Sequence, residues 1–216
     1  MRFAKEAWPF VLPFLLAAGA LLAWGRSGWA VAAFVVALLL LLFFRDPARR
    51  FDGDAAAVVA PADGRVTEIS TVEDEEIGPG RFRRVVTFLS VFDVHVQRCP
   101  VSGTVVRSTP RRGLKLAAFK PDVGEKNQAH TQVFQLADGA HVGVRQLAGL
   151  IARRVVSYLA VGERRTRGEL LGVIKFGSRV DLFVPEGYRV AVAVGDRVRN
   201  GETVMAVPEQ RRGVPS

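Results

Sequence analysis

Leu170-Leu171-Gly172-Val173-Ile174-Lys175-Phe176-Gly177-Ser178-Arg179-Val180-Asp181-Leu182-Phe183-Val184 decides how this chain is read. Two apolar runs, Leu170 to Phe176 and Val180 to Val184, flank a Gly-Ser pair. Their length and their Val, Ile, Leu and Phe content are those of strands. Gly and Ser are ordinary turn residues, so the plainest reading of 177–178 is a turn or bulge where two strands meet.

Outward from this segment the same texture continues. Short strands are predicted at Val58 to Ala60, Arg65 to Ser70, Arg84 to Leu89, Val94 to Arg98, Gly103 to Ser108 and Thr131 to Gln135. Others follow at Val142 to Gln146, Arg153 to Val156 and Arg189 to Val192. Closely spaced short strands separated by turn residues indicate a mainly β domain, a sandwich or barrel. Leu147 to Ala152 reads as one short helical turn, and Ser108 to Gln128 is less regular. Thr71 to Gly80, with four acidic residues and Pro79, is expected to be an exposed loop. The tail from Val192 to Val204, with Gly195 and Asn200-Gly201 suited to tight turns, resembles the turn sequence of lipoyl- and biotinyl-type barrel-sandwich domains.

The N-terminal part is different. Ala7 to Trp24 and Trp29 to Phe44 are free of charge and are joined by Gly25-Arg26-Ser27-Gly28. Each run is near the ~17–25 residues that cross a bilayer as a helix. A signal peptide competes for the first run, but a second apolar run follows at once and no small-residue cleavage site precedes the basic segment. Residues 1–44 are therefore expected to form a transmembrane helical hairpin, with helices at about 7–24 and 29–44. Trp8, Trp24 and Trp29 lie near the run ends, where interfacial indoles belong. Arg2 and Lys5 flank one end, Arg45, Arg49 and Arg50 the other, and only Arg26 sits in the turn. The positive-inside bias then places both termini, and the domain 45–216, on the cytoplasmic side of the inner membrane.

The net charge of +9 is carried mostly by arginines beyond residue 44. Such a body favours polyanions, and next to an anchor the expected partner is an anionic membrane surface rather than nucleic acid. The pairs Arg111-Arg112, Arg153-Arg154 and Arg164-Arg165 are candidates for that contact, or solvated loop charges. With Cys99 alone, no internal disulfide forms. His95, His130 and His141 are too scattered for a metal-ligand motif, so no metal is expected.

The frame around the Gly-Ser pair, I-K-F-G-S-R-V-D at 174–181, resembles the self-cleavage site of the phosphatidylserine decarboxylase proenzymes. D-V-H-V-Q-R-C-P-V-S-G at 93–103 is similar to the His-containing segment of the short bacterial and archaeal form of that family, and P-A-D-G-R-V at 61–66 to its acidic segment. F-F-R-D-P-A-R-R at 43–50 and Q-L-A-G-L-I-A-R-R at 146–154 extend the likeness from Phe44 to about Val207.

The resemblance implies that the Gly177–Ser178 bond breaks, giving a β chain 1–177 and an α chain 178–216 that stay together as a heterodimer. Ser178 would become a covalent pyruvoyl cofactor that decarboxylates phosphatidylserine to phosphatidylethanolamine. It implies His95 as the base and Asp63 as the acid that orients it. Read by itself, His95 could be a packed residue and Asp63 a turn aspartate ahead of Gly64; Asp93 is a second acid candidate. Longer family members carry another histidine at the position of Arg98, so here His95 would serve both processing and decarboxylation. The acidic-Asn segment of the family is reduced here to Glu125-Lys126-Asn127. Two alternatives stay open: an ether-linked archaeal serine phospholipid as substrate, and a non-enzymatic membrane-anchored lipoyl-like adaptor.

Overall fold

The computed structural model describes residues 2–113, 127–149, 154–175 and 178–209. The chain opens with β1 (Arg2–Phe3), a 3-10 turn at Lys5–Ala7, and two apolar helices, α1 (Trp8–Ala23) and α2 (Ser27–Phe43). Uncharged, Leu- and Ala-rich stretches favour helix, and Pro9 is tolerated because it falls in the first turn. The helices pack on each other, while Leu16, Leu22, Phe34 and Leu39 turn outward and are more than half exposed. Among the described residues one helix, extended to Lys5–Ala23, is long and apolar enough to cross a membrane; Ser27–Phe43 is apolar but shorter. β2 (Arg45–Asp46) pairs with β1 and closes the base of the helix pair.

Among the described residues, every later element is a β-strand. In order come β3 (Val58–Val59), β4 (Gly64–Glu73), β5 (Arg81–Leu89), β6 (Val96–Arg98), β7 (Gly103–Arg111), β8 (Ala129–Gln135) and β9 (His141–Ala148). Then follow β10 (Arg154–Ser157), β11 (Arg164–Arg165), β12 (Leu170–Lys175), β13 (Ser178–Pro185), β14 (Tyr188–Val190), β15 (Arg197–Val198) and β16 (Val204–Pro208). An eight-stranded antiparallel sheet runs β11-β7-β8-β9-β13-β5-β4-β15 and curls into a half-barrel. Two three-stranded sheets, β10-β12-β6 and β14-β16-β3, face its concave side across the core.

Strand periodicity explains the burial. Along β13, Val180, Leu182 and Val184 enter the main core with Val85, Leu89, Val144 and Ile174. Each such side chain contributes roughly 1.5–3 kcal/mol by leaving water. The alternate residues Arg179, Asp181 and Phe183 are also buried, on the other face. There Arg179 grips the Asp181 carboxylate with two bonds of 2.6 and 2.9 Å.

Three sequence expectations need correcting. The expected loop Thr71 to Gly80 begins as strand through Glu73, and it is not simply exposed. Ile77 is buried, and Asp74 and Glu76 both bind Arg145 on the sheet. A buried guanidinium needs those carboxylates, which is why an acidic run folds back on the domain. Leu147 and Ala148 belong to β9 instead of a helical turn, because both pair with β13; residues 150–152 lie outside the described residues. The irregular stretch from Ser108 begins as strand through Arg111. The two-residue strands β1, β2, β11 and β15 are too short to show a period, and they and β16 were not expected from the sequence.

Candidate active site

The Gly-Ser segment sits at a change of sheet. β12 lies in the middle of the small sheet β10-β12-β6, whereas β13 is central in the large one, so the chain passes from one sheet to the other between Lys175 and Ser178. Gly177 and the side chain of Ser178 lie outside the described residues. The Ser178 backbone is the first rung of β13 and is paired on both sides, with Leu89 of β5 and Ala148 of β9. Asn127, fully buried, donates to the Ala148 carbonyl at 2.7 Å and so buttresses that rung.

His95 reaches the same place by a short path. β5 ends at Leu89, opposite Ser178, and the chain turns at Ser90–Asp93. The Asp93 carboxylate holds this turn by accepting from the Ser90 amide (2.8 Å) and hydroxyl (2.7 Å). His95 follows, and its carbonyl accepts from the Ile174 amide of β12 at 3.3 Å. The base candidate is thereby held between the strand that precedes the Gly-Ser bond and the turn opposite the strand that follows it.

His95 is completely buried. Its Nδ1 lies 2.9 Å from the Asp93 carbonyl, which can only accept, so the proton is on Nδ1. Nε2 is then an acceptor, and it is buried with no partner among the described residues. Burial drives the imidazole pKa down to about 4, against the smaller opposing pull of the Asp93 carbonyl and carboxylate; Arg45 pushes it further down. At neutral pH this ring is uncharged, and among the described residues its Nε2 lone pair is unmatched.

Behind His95 runs a chain of buried amides. Gln132 donates to Gln146 (2.9 Å), Gln146 to Gln97 (2.8 Å), and Gln97 to the His95 carbonyl (2.8 Å). These glutamines are fully buried, and no sequence signal separated them from surface residues.

Asp63 stands one step away from the imidazole. Its carboxylate accepts from Arg49 (2.7 Å) and from the Asn200 amide (2.7 Å). The Asn200 side chain donates to the Val96 carbonyl (2.7 Å), next to His95. Burial raises the Asp63 pKa, opposed by the Asn200 amide and by Arg49. Gly64 makes this turn possible: its φ is +153°, and a Cβ there would fall 2.2 Å from the Phe88 carbonyl oxygen. Asp93 contributes its backbone carbonyl to His95, while its carboxylate caps the turn. Arg98 pairs with Asp46 and donates to the Gly168 carbonyl (2.8 Å), tying β6 to the segment after the helices. Of the basic pairs, Arg165 is engaged by Glu163 and Glu169.

A cleft of about 840 Å³ lies beside this centre. Arg2, Lys5, Tyr158 and Leu170 line it, and it reaches Val96 but not His95.

Comparison with known proteins gives one answer. The family model described as phosphatidylserine decarboxylase matches residues 36–206. The chain is 44% identical over 209 residues to a phosphatidylserine decarboxylase proenzyme of Symbiobacterium thermophilum, covering 94% of each chain. It is 37% identical over 203 residues to one from Nitrosomonas eutropha (94% of each) and 36% identical over 207 residues to one from Burkholderia ambifaria (96% of each).

Proposed function

The chain belongs to the phosphatidylserine decarboxylase family, and we propose that it is a proenzyme that cuts itself between Gly177 and Ser178 and then decarboxylates phosphatidylserine to phosphatidylethanolamine. The observation that carries this reading is the Nε2 of His95, buried and with no partner among the described residues, held where β12 gives way to β13. Membership of an enzyme family decides against the adaptor reading.

In the first step His95 Nε2 takes the Ser178 hydroxyl proton as the oxygen attacks the Gly177 carbonyl. The C–O bond forms, the peptide C–N bond breaks, and the proton passes to the Ser178 nitrogen, leaving an ester. His95 then removes the Ser178 α-proton, and Gly177 departs as a carboxylate, leaving a dehydroalanine. Water hydrolyses that residue, ammonia leaves, and a ketone remains at position 178. Asp93 orients the ring through its carbonyl, and Asp63 supports the site through Asn200 and Val96.

The site fits a pyruvoyl group at residue 178. A chain beginning there stays fixed, because β13 is bonded to β5 through Pro185 and to β9 through Phe183. The ketone supplies an electrophile for the substrate amine and an electron sink while carbon dioxide leaves. The same His95 Nε2 is at hand to return a proton to the substrate.

The lipid substrate explains the apolar helices. A diacyl lipid leaves a bilayer only at about 0.8 kcal/mol per CH2 group. Residues 1–44, with outward Leu16, Leu22 and Leu39, act as a membrane hairpin that brings the cytoplasmic domain 45–216 to the anionic inner-membrane surface.

A denaturing gel tests the proposal. The wild-type protein should give a large chain, 1–177, and a small one, 178–216; Ser178→Ala should give one uncut band. A wild-type protein that stays whole while making phosphatidylethanolamine would overturn it.

A further inference from the structure

The helix pair does more than adjoin the site. Phe43, the last residue of α2, lays its ring on the His95 imidazole with centroids 4.0 Å apart and planes 31° apart. Phe44 meets Phe43 edge-on at 5.0 Å, and Phe10 of α1 stacks on Phe44 at 5.8 Å. Lys175, at the end of the strand leading to the Gly-Ser bond, places its ammonium 5.4 Å from the Phe10 ring centroid. Ala7, Val11 and Ala37 of the helical segment join Val94, Val96 and Val173 of the β domain in one buried cluster beneath these rings. The helix ends therefore touch the base and the strand on the amino side of the bond to be cut.

From this geometry we infer that Phe43 is a positioning residue for His95, so that self-cleavage requires α2 seated on the β domain and the membrane helices are a working part of the processing centre. The inference rests on His95 being the base.

The physical argument has two parts. The Asp93 carbonyl fixes one edge of the imidazole but leaves it free to rock about that bond; a ring packed on its face removes this freedom. Phe43 also excludes water, and burial is the main reason the imidazole stays unprotonated. The charged groups acting on His95 are Asp93, on its own turn, and Arg45, just beyond α2, which donates to the Phe92 carbonyl at 2.6 Å. Lys175 lies beyond the aromatic stack. Truncating Phe43 removes none of these charges.

The test uses the full chain, pulse-synthesised into phosphatidylglycerol–phosphatidylcholine vesicles and then shifted to a series of pH values while cleavage is followed on gels. Phe43→Ala should slow cleavage about tenfold or more at neutral pH. It should also move the acid limb of the rate from about 4 toward 6.5 as water reaches the ring. Phe43→Leu keeps the site dry without the flat ring, so its limb should stay in place while its rate falls roughly threefold. Phe34→Ala, on the same helix but outward-facing, should cleave like wild type.

Cleavage of Phe43→Ala at wild-type rate with an unmoved limb overturns the inference, as does an equal slowing by Phe34→Ala. If Phe43→Ala does not accumulate, a Phe43→Leu protein indistinguishable from wild type in rate overturns it instead. His95→Ala run in parallel separates the two levels. Should His95→Ala cleave, the base assignment and this inference fall together; should it stay whole while Phe43→Ala cleaves normally, only this inference falls.

Discussion

The Nδ1 atom of His95 lies 2.9 Å from the backbone carbonyl oxygen of Asp93, two residues earlier in the chain. A carbonyl accepts and never donates, so this one contact fixes the tautomer and leaves Nε2 as the ring's acceptor, the atom proposed as the base. In this precursor fold, backbone orients the imidazole and the acidic side chains act at a distance.

The pH dependence of stability follows from the burial of the same ring. The His95 pKa is about 4 in the fold against 6.5 for a free imidazole, so between those values the unfolded chain binds the extra proton. The contribution is fully present above 6.5 and is lost as pH falls toward 4, with a size of up to about 3 kcal/mol. Thermal melts of Ser178→Ala and of Ser178→Ala/His95→Phe across this range measure it. The first should lose stability on acidification more steeply than the second, and parallel curves would remove burial of a neutral His95 from the account.

Asp63 and Arg49 form a pair whose side chains are 13% and 10% exposed. Removing one partner leaves the other charge largely buried, at a cost of about 3 kcal/mol. Asp63→Ala and Arg49→Ala should each lower stability by that order, and the double variant by clearly less than their sum. Denaturant titration of the four proteins in detergent gives the coupling. Additive losses would mean that the two side chains act independently.

Gly172 lies opposite Ser157 in the β10–β12 ladder. A Cβ there would sit 2.3 Å from the Val156 carbonyl oxygen and 3.1 Å from the Gln146 amide nitrogen. Gly172→Ala must therefore push β10 aside and disturb the Gln146–Gln97 link to the His95 carbonyl. A loss of roughly 1–3 kcal/mol is expected, as for other overpacked sites, together with slower cleavage. A Gly172→Ala protein as stable and as quick to cleave as the wild type would show that this ladder has slack.

Much of this was legible in the sequence, for identifiable reasons. Val-rich runs with turn residues between them have a local period, so β4, β5, β8, β9, β12 and β13 were found to within a few residues. The uncharged runs located α1 and α2 by their length and lack of charge. His95 and the Gly-Ser pair were visible because their neighbours resemble a known motif. The change of sheet between Lys175 and Ser178 was not visible, since strand order depends on contacts far apart in sequence. Nor were the roles of Phe43, Gln97, Gln132 and Gln146: an aromatic at a helix end and three scattered amides look like anchor and surface until the fold brings them to His95. Asp63 was picked out by motif, but its partners Arg49 and Asn200 come from both ends of the β domain.

The most direct measurement is the mass and end-group chemistry of the small fragment purified from cells that make active protein. The account predicts a chain 178–216 that lacks a free amino terminus, carries a ketone reducible by borohydride, and loses decarboxylase activity on that reduction. A fragment beginning with an ordinary serine amine, or an active protein with no fragment, would contradict it.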